Sequence, residues 1–329
     1  MARALKLPRV SVLMAAHNAE AYLNEAIRSI LAQTFADFEF IIIDDGSTDG
    51  TRAIVEHFKS IDPRIRHIDQ ENRGLANSLN RGLLLSRAEL VARMDADDIS
   101  HPDRLLKQVN FMDHHLGIEA LGTHVRKIDA TGNVIGLWRS PSREHEAAWR
   151  LPLGSTLPHP SVMLRKSAIE AVGGYDIAIH IAEDYDLWCR LVRSGYEITN
   201  LPECLLDYRV HSTQISSVKS RQQQLTAQSI AFQHLQWAVT GGVCPQAAAD
   251  LRQLCDSGFG RRELTPQRIN GLVGLISQYI SAVTRLHSDC AGKQARRYLM
   301  RKILKAASIL GFQVDSSSAA FMLGAIKIL

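Results

Sequence analysis

The sequence predicts an α/β fold with a mostly parallel sheet flanked by helices, followed by an α-helical C-terminal extension. In the first hundred residues, short apolar and β-branched runs alternate with segments whose apolar residues recur at helical spacing. Strands that alternate with helices of this length are typical of a parallel sheet with right-handed crossovers. After His211 the helical spacing dominates, and few strand patterns remain.

The first four strands are predicted where the apolar runs are short and continuous, as in a sheet that is covered on both faces. These runs occupy residues 10–14, 38–43, 64–69 and 90–94. Helices are predicted between them, at residues 20–33, after the turn at 44–50 to about residue 60, and at 75–85. We expect Thr48 or Asp49 to cap the second helix. We also expect Ser100 to cap a fourth helix, with Pro102 in its first turn.

The chain between residues 118 and 210 has a more mixed pattern. Short strands are predicted near residues 118–121, 161–164 and 205–208, and a helix at 183–193 is expected to end at Gly195. Breaks between the later helices are expected near residues 241–242, 258–260 and 292. We therefore predict a first domain at residues 1–214 and a helical C-terminal region at 215–329.

The distribution of charge supports this division. Residues 1–214 hold 24 Lys+Arg and 29 Asp+Glu, whereas residues 215–329 hold 14 and 5. The five cysteines are odd in number and have no C-x-x-C spacing, which argues against a disulfide framework or a structural zinc site. The N-terminus lacks the apolar core of a secretory signal, and no apolar run reaches about 18 residues. We therefore expect a cytoplasmic protein.

The apolar run at residues 90–94 ends in three carboxylates, Asp95, Asp97 and Asp98. A buried strand cannot carry them without a compensating charge, so we expect them where the strand leaves the sheet. In extended backbone Asp95 and Asp97 share one face, and Asp98 points to the other. Two such oxygen ligands suit Mg²⁺ or Mn²⁺. Taken alone, however, the motif is better explained as an acidic, solvated turn.

Two more polar segments follow predicted strands, at residues 15–18 and 44–47. Ligands of an open parallel sheet bind at the carboxyl ends of its strands. The Asp45 carboxylate is a candidate acceptor for the imide N–H of uracil or thymine, with the backbone around Ala15 and His17 lining the base and ribose. Capping of the next helix is an alternative that is at least as well supported for Asp45 alone.

Taken together, several of these segments resemble the motifs of family 2 glycosyltransferases. The similar segments occur in order within residues 8–213, at 10–20, 29–35, 43–49, 72–75 and 94–98. The resemblance implies a GT-A-like, Rossmann-type fold, a nucleotide-sugar donor and inversion at the anomeric carbon. No G-x-G-x-x-G follows the first strand, which argues against a nicotinamide oxidoreductase.

The resemblance also implies roles for individual residues on the donor side. It implies that Asp45 binds the nucleobase of the donor, Asp95 lies near the donor ribose and Asp97 binds the divalent metal. It also places Arg73 near the pyrophosphate or the nucleobase. His17 stands where the family often has an aromatic residue, which would alter stacking on the base without removing the site.

Two downstream segments complete the predicted site. Residues 181–191 resemble the family's E-D-x-D-L-W-x-R segment, which implies that Asp184 is the general base that takes the acceptor proton. An acidic first turn of a helix is the alternative interpretation of Glu183 and Asp184. Residues 208–211 resemble the family's Y-R-x-H, which implies that His211 contacts the metal or the diphosphate. A histidine in a loop at the domain edge is an equally open interpretation.

We therefore predict an inverting, metal-dependent glycosyltransferase that uses Mn²⁺ or Mg²⁺ and a UDP- or dTDP-sugar. Its acceptor would be a saccharide or a lipid-linked molecule in polysaccharide or cell-surface glycan synthesis. A metal-dependent phosphohydrolase of nucleotide sugars and a non-catalytic nucleotide-sugar-binding subunit are the alternatives. Nucleic acid is not expected as a partner.

The basic C-terminal region adds two expectations about partners. Residues 293–305 place cations at helical spacing, which predicts a helix that lies on the inner face of a membrane or packs as an ordinary surface helix. The apolar residues 319–329 are too few to span a bilayer, so docking or a homo-oligomer would bury them.

Overall fold

The computed structural model describes residues 7–212, 214, 220–239, 242–256 and 266–309. The chain forms two compact units. The first comprises Met1–Arg143 and Thr156–Gln223, and the second comprises Glu144–Ser155 and Gln224–Leu329. The predicted boundary at residue 214 stays a prediction, because residues 213 and 215–219 next to it are not described.

The first unit is built on one mixed sheet. Its strands are β1 (Val10–Ala16), β2 (Phe38–Asp45), β3 (Ile65–Gln70), β4 (Leu90–Asp95), β5 (Ile99–Ser100), β6 (Ile118–Ile128), β7 (Val134–Trp138), β8 (Met163–Arg165) and β9 (Glu197–Arg209). They are ordered β3-β2-β1-β4-β8-β6-β9-β5, and β7 pairs with β6. The first four strands are parallel, as are β6 and β9, whereas β8 is antiparallel to both of its neighbours. The predicted mostly parallel sheet flanked by helices is therefore confirmed.

Helices connect these strands and form most of the described second unit. In the first unit they are α1 (Glu20–Leu31), α2 (Thr51–Ile61), α3 (Leu75–Leu85), α4 (Arg104–His114), α6 (Lys166–Ala171) and α7 (Glu183–Arg193). The others are α5 (Glu146–Trp149), α8 (Ser220–Ala238), α9 (Pro245–Asp256), α10 (Pro266–Leu286) and α11 (Asp289–Ile309). The predicted bounds of α3 and α7 agree with the structure.

The core of the first unit explains why the strands form where they do. Alternate residues of β1 and β4 lie on one face of the sheet and pack against the apolar side of α1. On the other face α3 comes so close to β1 that a Cβ at Gly82 would lie 2.0 Å from Leu13 Cδ1. The glycine therefore permits close packing of the helix on the sheet, which fixes the position of β1.

Three predicted helix boundaries differ from those of the structure. Ser100 does not cap α4, since it belongs to β5, pairs with Leu206 and accepts a hydrogen bond from Gln33. Gly50, rather than Thr48 or Asp49, precedes α2, although Asp49 still accepts the Thr51 N–H.

The third boundary is the helix break predicted near Gly292, which lies a few residues earlier, between Leu286 and Asp289. Gly292 lies inside α11, whose first residue is Asp289. A Cβ at this position would meet the Thr284 side chain of α10, so the glycine permits close helix packing and does not break the helix.

The longest strands were predicted too short. β6 and β9 run 11 and 13 residues and pair in parallel with each other over most of their length. Much of β9 is polar, including Asn200 and Glu203, so its extent follows from pairing with β6 and not from local apolar pattern.

The second unit has its own apolar core, which involves α8 to α11 together with Trp149 and Leu153. None of its described helices, and none in the described part of the first unit, is long and apolar enough to cross a membrane. Lys293, Arg297 and Arg301 are exposed on α11, in the stretch where a basic helix was predicted. The side chains of residues 303–305 and the apolar segment 319–329 lie outside the described residues.

Candidate active site

The carboxyl ends of β1, β2 and β4 meet at one edge of the sheet. Ala15 of β1 lies opposite Ile43 of β2 and opposite Asp95 of β4, and Ala16 lies opposite Asp44. This register brings the three polar segments that follow these strands together, because parallel strands in register end at the same level.

The segments after β1 and β2 are tied to each other by short hydrogen bonds. His17 Nδ1 lies 2.8 Å from the carbonyl oxygen of Asp45. Asn18 adopts a left-handed conformation with φ of 49°, and its Oδ1 accepts the Thr48 N–H at 2.8 Å. The exposed His17 ring also lies 3.3 Å from Asn72 Nδ2, in the segment that follows β3. His17 and Ala15 thus lie on an edge whose backbone is held in place.

Asp45 is buried, and its carboxylate organises the segment before α3. Oδ1 accepts hydrogen bonds from Gln70 Nε2 at 2.7 Å and from the Arg73 N–H at 2.9 Å, and Oδ2 accepts from the Gly74 N–H at 2.9 Å. Burial favours a higher pKa, but these donors outweigh it and lower the pKa of Asp45 below its usual value. Asp45 therefore does not cap α2 but binds the backbone just before α3.

Arg73 contributes through its backbone and leaves its side chain at the surface. Its N–H binds Asp45, and its carbonyl accepts a hydrogen bond from Asn77 at 2.8 Å. Gly46, with φ of 72°, permits this arrangement, because a Cβ there would lie 2.7 Å from the Asn72 backbone nitrogen. The Arg73 guanidinium is exposed beside the edge, where an anionic group can reach it.

Three carboxylates gather where β4 ends. Oxygen atoms of Asp95, Asp97 and Asp98 lie within 4.8 Å of one another. The chain bends at residues 96–97, so Asp98 lies with the other two and the expectation that it points to the opposite side is wrong. Asp98 is fully buried, its Oδ1 accepts the Arg209 N–H at 2.8 Å, and its Oδ2 has no hydrogen-bond partner among the described residues.

The pKa values of two of these carboxyl groups reflect the crowding. Removal from water raises the pKa of Asp98 well above its usual value, and the charges of Asp97 and Asp95 add to this. Removal from water also raises the pKa of Asp95, although the Arg93 guanidinium opposes the shift. An additional cation in this cluster would relieve both effects.

The residues present fit a divalent cation. His211 Nε2 lies 2.9 Å from Asp97 Oδ2, and Gln214 Nε2 approaches the same oxygen at 3.4 Å. Two ligands at right angles around Mg²⁺, each about 2.1 Å from the ion, would be about 3 Å apart. The unpartnered oxygen of Asp98 is a further donor of the type that Mg²⁺ and Mn²⁺ prefer. His211 and Asp97, which were predicted separately, are brought together here.

Arg209 holds this end of the site in place and was missed as a functional residue. Its guanidinium donates to the Asp97 carbonyl oxygen at 2.9 Å, to the carbonyl oxygens of Asp129 and Ala130, and to Glu25. It also lies over the Tyr22 ring, 4.7 Å from its centroid. Arg209 is buried and connects β9 to the turn after β4, so it fixes the backbone that presents Asp97.

The predicted base lies at the amino end of α7. Ala182, just before the helix, has φ of 70°, an unusual backbone conformation for alanine. Burial and the charge of Asp184 raise the pKa of Glu183 to about 7. Burial raises the pKa of Asp184 as well, while the Tyr185 N–H and Arg93 oppose it and Asp95 adds to it. Asp186 accepts a hydrogen bond from Arg190 at 2.6 Å and is therefore a structural residue of α7.

A second buried arginine, Arg93 of β4, was also missed. It forms an ion pair with Asp95, while its Nε and Nη1 have no hydrogen-bond partner among the described residues. Beside it, the Tyr175 hydroxyl lies 2.8 Å from His159 Nε2. The sequence did contain a clue, since Arg93 is the only charged residue in the apolar run at 90–94.

The chain is similar in sequence to known glycosyltransferases. The family described as glycosyl transferase family 2 matches residues 11–173. An uncharacterized glycosyltransferase of Haemophilus influenzae is 34% identical over 238 residues, which cover 69% of this chain and 73% of that protein. The O-antigen biosynthesis glycosyltransferase WbnJ of Escherichia coli is 36% identical over 217 residues, which cover 64% of this chain and 84% of WbnJ.

Solved structures share the fold at lower sequence identity. Residues 1–349 of Staphylococcus aureus TarS align with a TM-score of 0.57 and 17% identity, covering 96% of this chain and 92% of that one. The mannosyltransferase PcManGT of Pyrobaculum calidifontis, in complex with GDP-Man and Mn²⁺, aligns with a TM-score of 0.54 and 18% identity, covering 94% and 89%. The fold is therefore the GT-A fold, and the sequence matches show that the chain belongs to glycosyl transferase family 2 and is a glycosyltransferase.

Proposed function

We propose that this glycosyltransferase is inverting and metal-dependent, and that it moves a sugar from a nucleoside diphosphate to a hydroxyl group of a saccharide or lipid-linked acceptor. The proposal rests on two groups of carboxylates, the cluster of Asp95, Asp97 and Asp98 at the end of β4 and the pair Glu183 and Asp184 at the start of α7. The Asp95 charge raises the pKa values of both Glu183 and Asp184, so the donor-side cluster and the α7 carboxylates share one electrostatic environment. A single-displacement transfer needs both sets next to the same anomeric carbon.

The donor would bind along the edge formed by β1, β2 and β4. Asp45 holds the backbone of Arg73 and Gly74 and would contact the nucleobase, while the exposed Arg73 side chain can approach the phosphates. Asp95 would contact the ribose, and Asp97 with His211 would hold the metal. A bound divalent cation would stabilise the negative charge of the departing nucleoside diphosphate.

Asp184 would act as the general base. Its carboxylate takes the proton of the acceptor hydroxyl while that oxygen forms a bond to C1 of the sugar. The bond from C1 to the diphosphate oxygen breaks, and its electron pair leaves with the nucleoside diphosphate. The raised pKa of Asp184 makes it a better proton acceptor than an exposed aspartate. Because a single displacement occurs at C1, the anomeric configuration inverts.

The relatives support the substrate class. WbnJ is named for O-antigen biosynthesis and the Erwinia amylovora relative AmsE, 29% identical, for amylovoran biosynthesis. TarS has been solved with UDP and with UDP-GlcNAc, and PcManGT with GDP-Man and Mn²⁺. These names support a role in polysaccharide or cell-surface glycan synthesis, with UDP or dTDP as the proposed nucleotide.

Membrane association is a further part of the proposal. The exposed Lys293, Arg297 and Arg301 lie along one side of α11, where they would face anionic headgroups at the cytoplasmic surface. We expect the protein to co-sediment with vesicles containing phosphatidylglycerol at low salt and not with neutral vesicles. Equal recovery with both vesicle types, or no dependence on salt, would contradict membrane binding through these cations.

A homo-oligomer is proposed only through the segment 319–329, and analytical ultracentrifugation of the chain with and without that segment tests it.

The role of Asp184 gives the first prediction for activity. Asp184→Asn keeps the shape of the side chain but cannot take a proton, so kcat for transfer should fall about 10²- to 10⁴-fold. Binding of UDP with Mn²⁺ should stay within a few-fold of wild type in calorimetry. Glu170→Gln, which removes an exposed carboxylate of α6, is the control and should leave kcat unchanged. Transfer by Asp184→Asn within a few-fold of wild type would remove Asp184 from the proposed mechanism.

The choice of nucleotide gives the second prediction. With Mn²⁺ present, UDP or dTDP should raise the thermal unfolding midpoint more than GDP at equal concentration, since binding to the native state stabilises it by RT ln(1 + [L]/Kd). Asp45→Asn should reduce the shift caused by UDP, because an amide nitrogen replaces one of the carboxylate oxygens. A larger shift with GDP than with UDP or dTDP would exclude the proposed nucleotide and leave the rest of the mechanism in place.

A further inference from the structure

Arg93 differs from the other buried arginines of the described residues. Arg104, Arg165 and Arg209 each use Nε, Nη1 and Nη2 as donors to carbonyl, carboxylate, amide or sulfur acceptors. Arg93 uses only Nη2, in its ion pair with Asp95, and its Nε and Nη1 are buried without a partner. Buried polar groups are nearly always hydrogen-bonded, so Arg93 is an exception. Local hydrogen bonding therefore does not explain why an arginine lies at this position.

The position of Arg93 connects the two carboxylate groups of the site. On the donor side, it precedes Asp95 by two residues, so both side chains project from the same face of β4. On the acceptor side, its charge acts on Glu183 and Asp184 at the start of α7, where it opposes the upward shift of both pKa values. One buried cation therefore serves carboxylates from two separate elements.

Hydrogen bonds and ring contacts connect the residues next to Arg93 to α3 and α7. The backbone of Tyr175 both donates to and accepts from the Asn80 side chain, with both distances at 2.8 Å, which ties it to α3. The Tyr175 hydroxyl bonds His159, whose ring packs edge-on against Trp188 of α7 with centroids 6.0 Å apart. These contacts connect α7 to α3 through His159 and Tyr175.

The other titratable and charged groups around Arg93 do not replace it. Burial and the Arg93 charge lower the pKa of His159, so that ring is neutral near pH 7, and they also lower the pKa of Arg104 to about 9. The groups that interact electrostatically with Arg93 are Asp95, Asp98, Arg104, His159, Tyr175, Glu183 and Asp184. Of these, Arg104 is the second cation, and its guanidinium donates to the Arg93 carbonyl oxygen and to no carboxylate.

We propose that Arg93 is a positioning residue whose buried charge holds Asp95 on the donor side and Asp184 on the acceptor side in one active site. This inference rests on the proposed function, since Asp184 is the base in that mechanism. Through Asp95, Arg93 orients the carboxylate that meets the donor. Through its charge, it opposes the rise in the pKa of Asp184 that burial and the charge of Asp95 cause.

The test compares Arg93→Gln and Arg93→Lys with wild type across pH 5.5–9, measuring kcat and KM for transfer. Without the guanidinium the pKa of Asp184 rises, so less of the base is ionised at low pH. A rise of one unit lowers activity about tenfold well below the pKa and little above it. We therefore expect the activity of Arg93→Gln relative to wild type to be lowest at the acid end of this range and to recover toward the alkaline end. Arg93→Lys keeps the charge and should show an acid limb near that of wild type.

Arg165→Gln is the matched control. It removes another buried arginine of the same sheet, one that pairs with Glu89 and lies opposite Leu90 at the far end of β4. This variant should keep the wild-type pH profile, whatever its loss of stability. A constant factor of loss at every pH in Arg93→Gln, as expected for a purely structural arginine, would overturn the proposal. So would a profile of Arg93→Lys that matches Arg93→Gln.

A stability measurement tests the effect of the Arg93 charge without relying on sugar transfer. Glu183 and Asp184 protonate at low pH, so the cost of losing the guanidinium should shrink there and grow as the pH rises. The thermal unfolding midpoint of Arg93→Gln should therefore fall further below wild type at pH 8 than at pH 5.5. An equal difference at both pH values would overturn the proposal. A wild-type protein that transfers no sugar would instead refute the proposed function, and this stability comparison would still decide the role of the Arg93 charge.

Discussion

Repulsion between carboxylates is the constraint on which the rest of this site depends. The end of β4 and the start of α7 bring five acidic side chains to one edge of the sheet, Asp95, Asp97, Asp98, Glu183 and Asp184. Such a group cannot stay ionised in a partly dry environment unless cations compensate it. The upward shifts in the pKa values of four of these groups show that the protein compensates them only in part. The remaining negative charge suits a divalent cation together with the diphosphate that it binds.

The fold supplies the partial compensation from two directions. Arg93 comes from β4 itself, and Arg209 comes from β9, where its guanidinium fixes the Asp97 carbonyl and its backbone N–H binds Asp98. The carboxylate of Asp45, by contrast, is compensated by N–H groups, and this ties the end of β2 to the segment before α3. Charge balance and backbone position at the ends of β2 and β4 are thus set by the same contacts.

Much of the fold could be predicted from local pattern, but the compensating residues could not. The bounds of α3 and α7 follow from apolar spacing, and β1, β2 and β4 follow from short continuous apolar runs. The length of β9 depends on pairing with β6, and the place of Ser100 depends on its contacts with Leu206 and Gln33. Such contacts join residues that lie far apart in the sequence.

The site shows the same division. The acidic residues were visible as strand-end clusters and through the family resemblance, and the structure brings Asp97 and His211 within 2.9 Å. Arg209, however, bonds Glu25 across 184 positions, a contact that no local pattern indicates. Arg93 was detectable in principle as a charge inside an apolar strand. Its electrostatic interaction with Glu183 and Asp184 of α7, however, becomes apparent only from the structure.

The most direct test of the account measures whether Mn²⁺ is the missing compensating charge. Free Mn²⁺ can be followed by electron paramagnetic resonance during titration of the protein with and without UDP. We expect one Mn²⁺ per chain in the presence of UDP, with at least about tenfold weaker binding in Asp97→Ala. Asp62→Ala, which alters a carboxylate paired with Arg64 before the amino end of β3, should bind as wild type does. Wild-type protein that binds no Mn²⁺ with UDP, or Asp97→Ala that binds it equally well, would contradict the account.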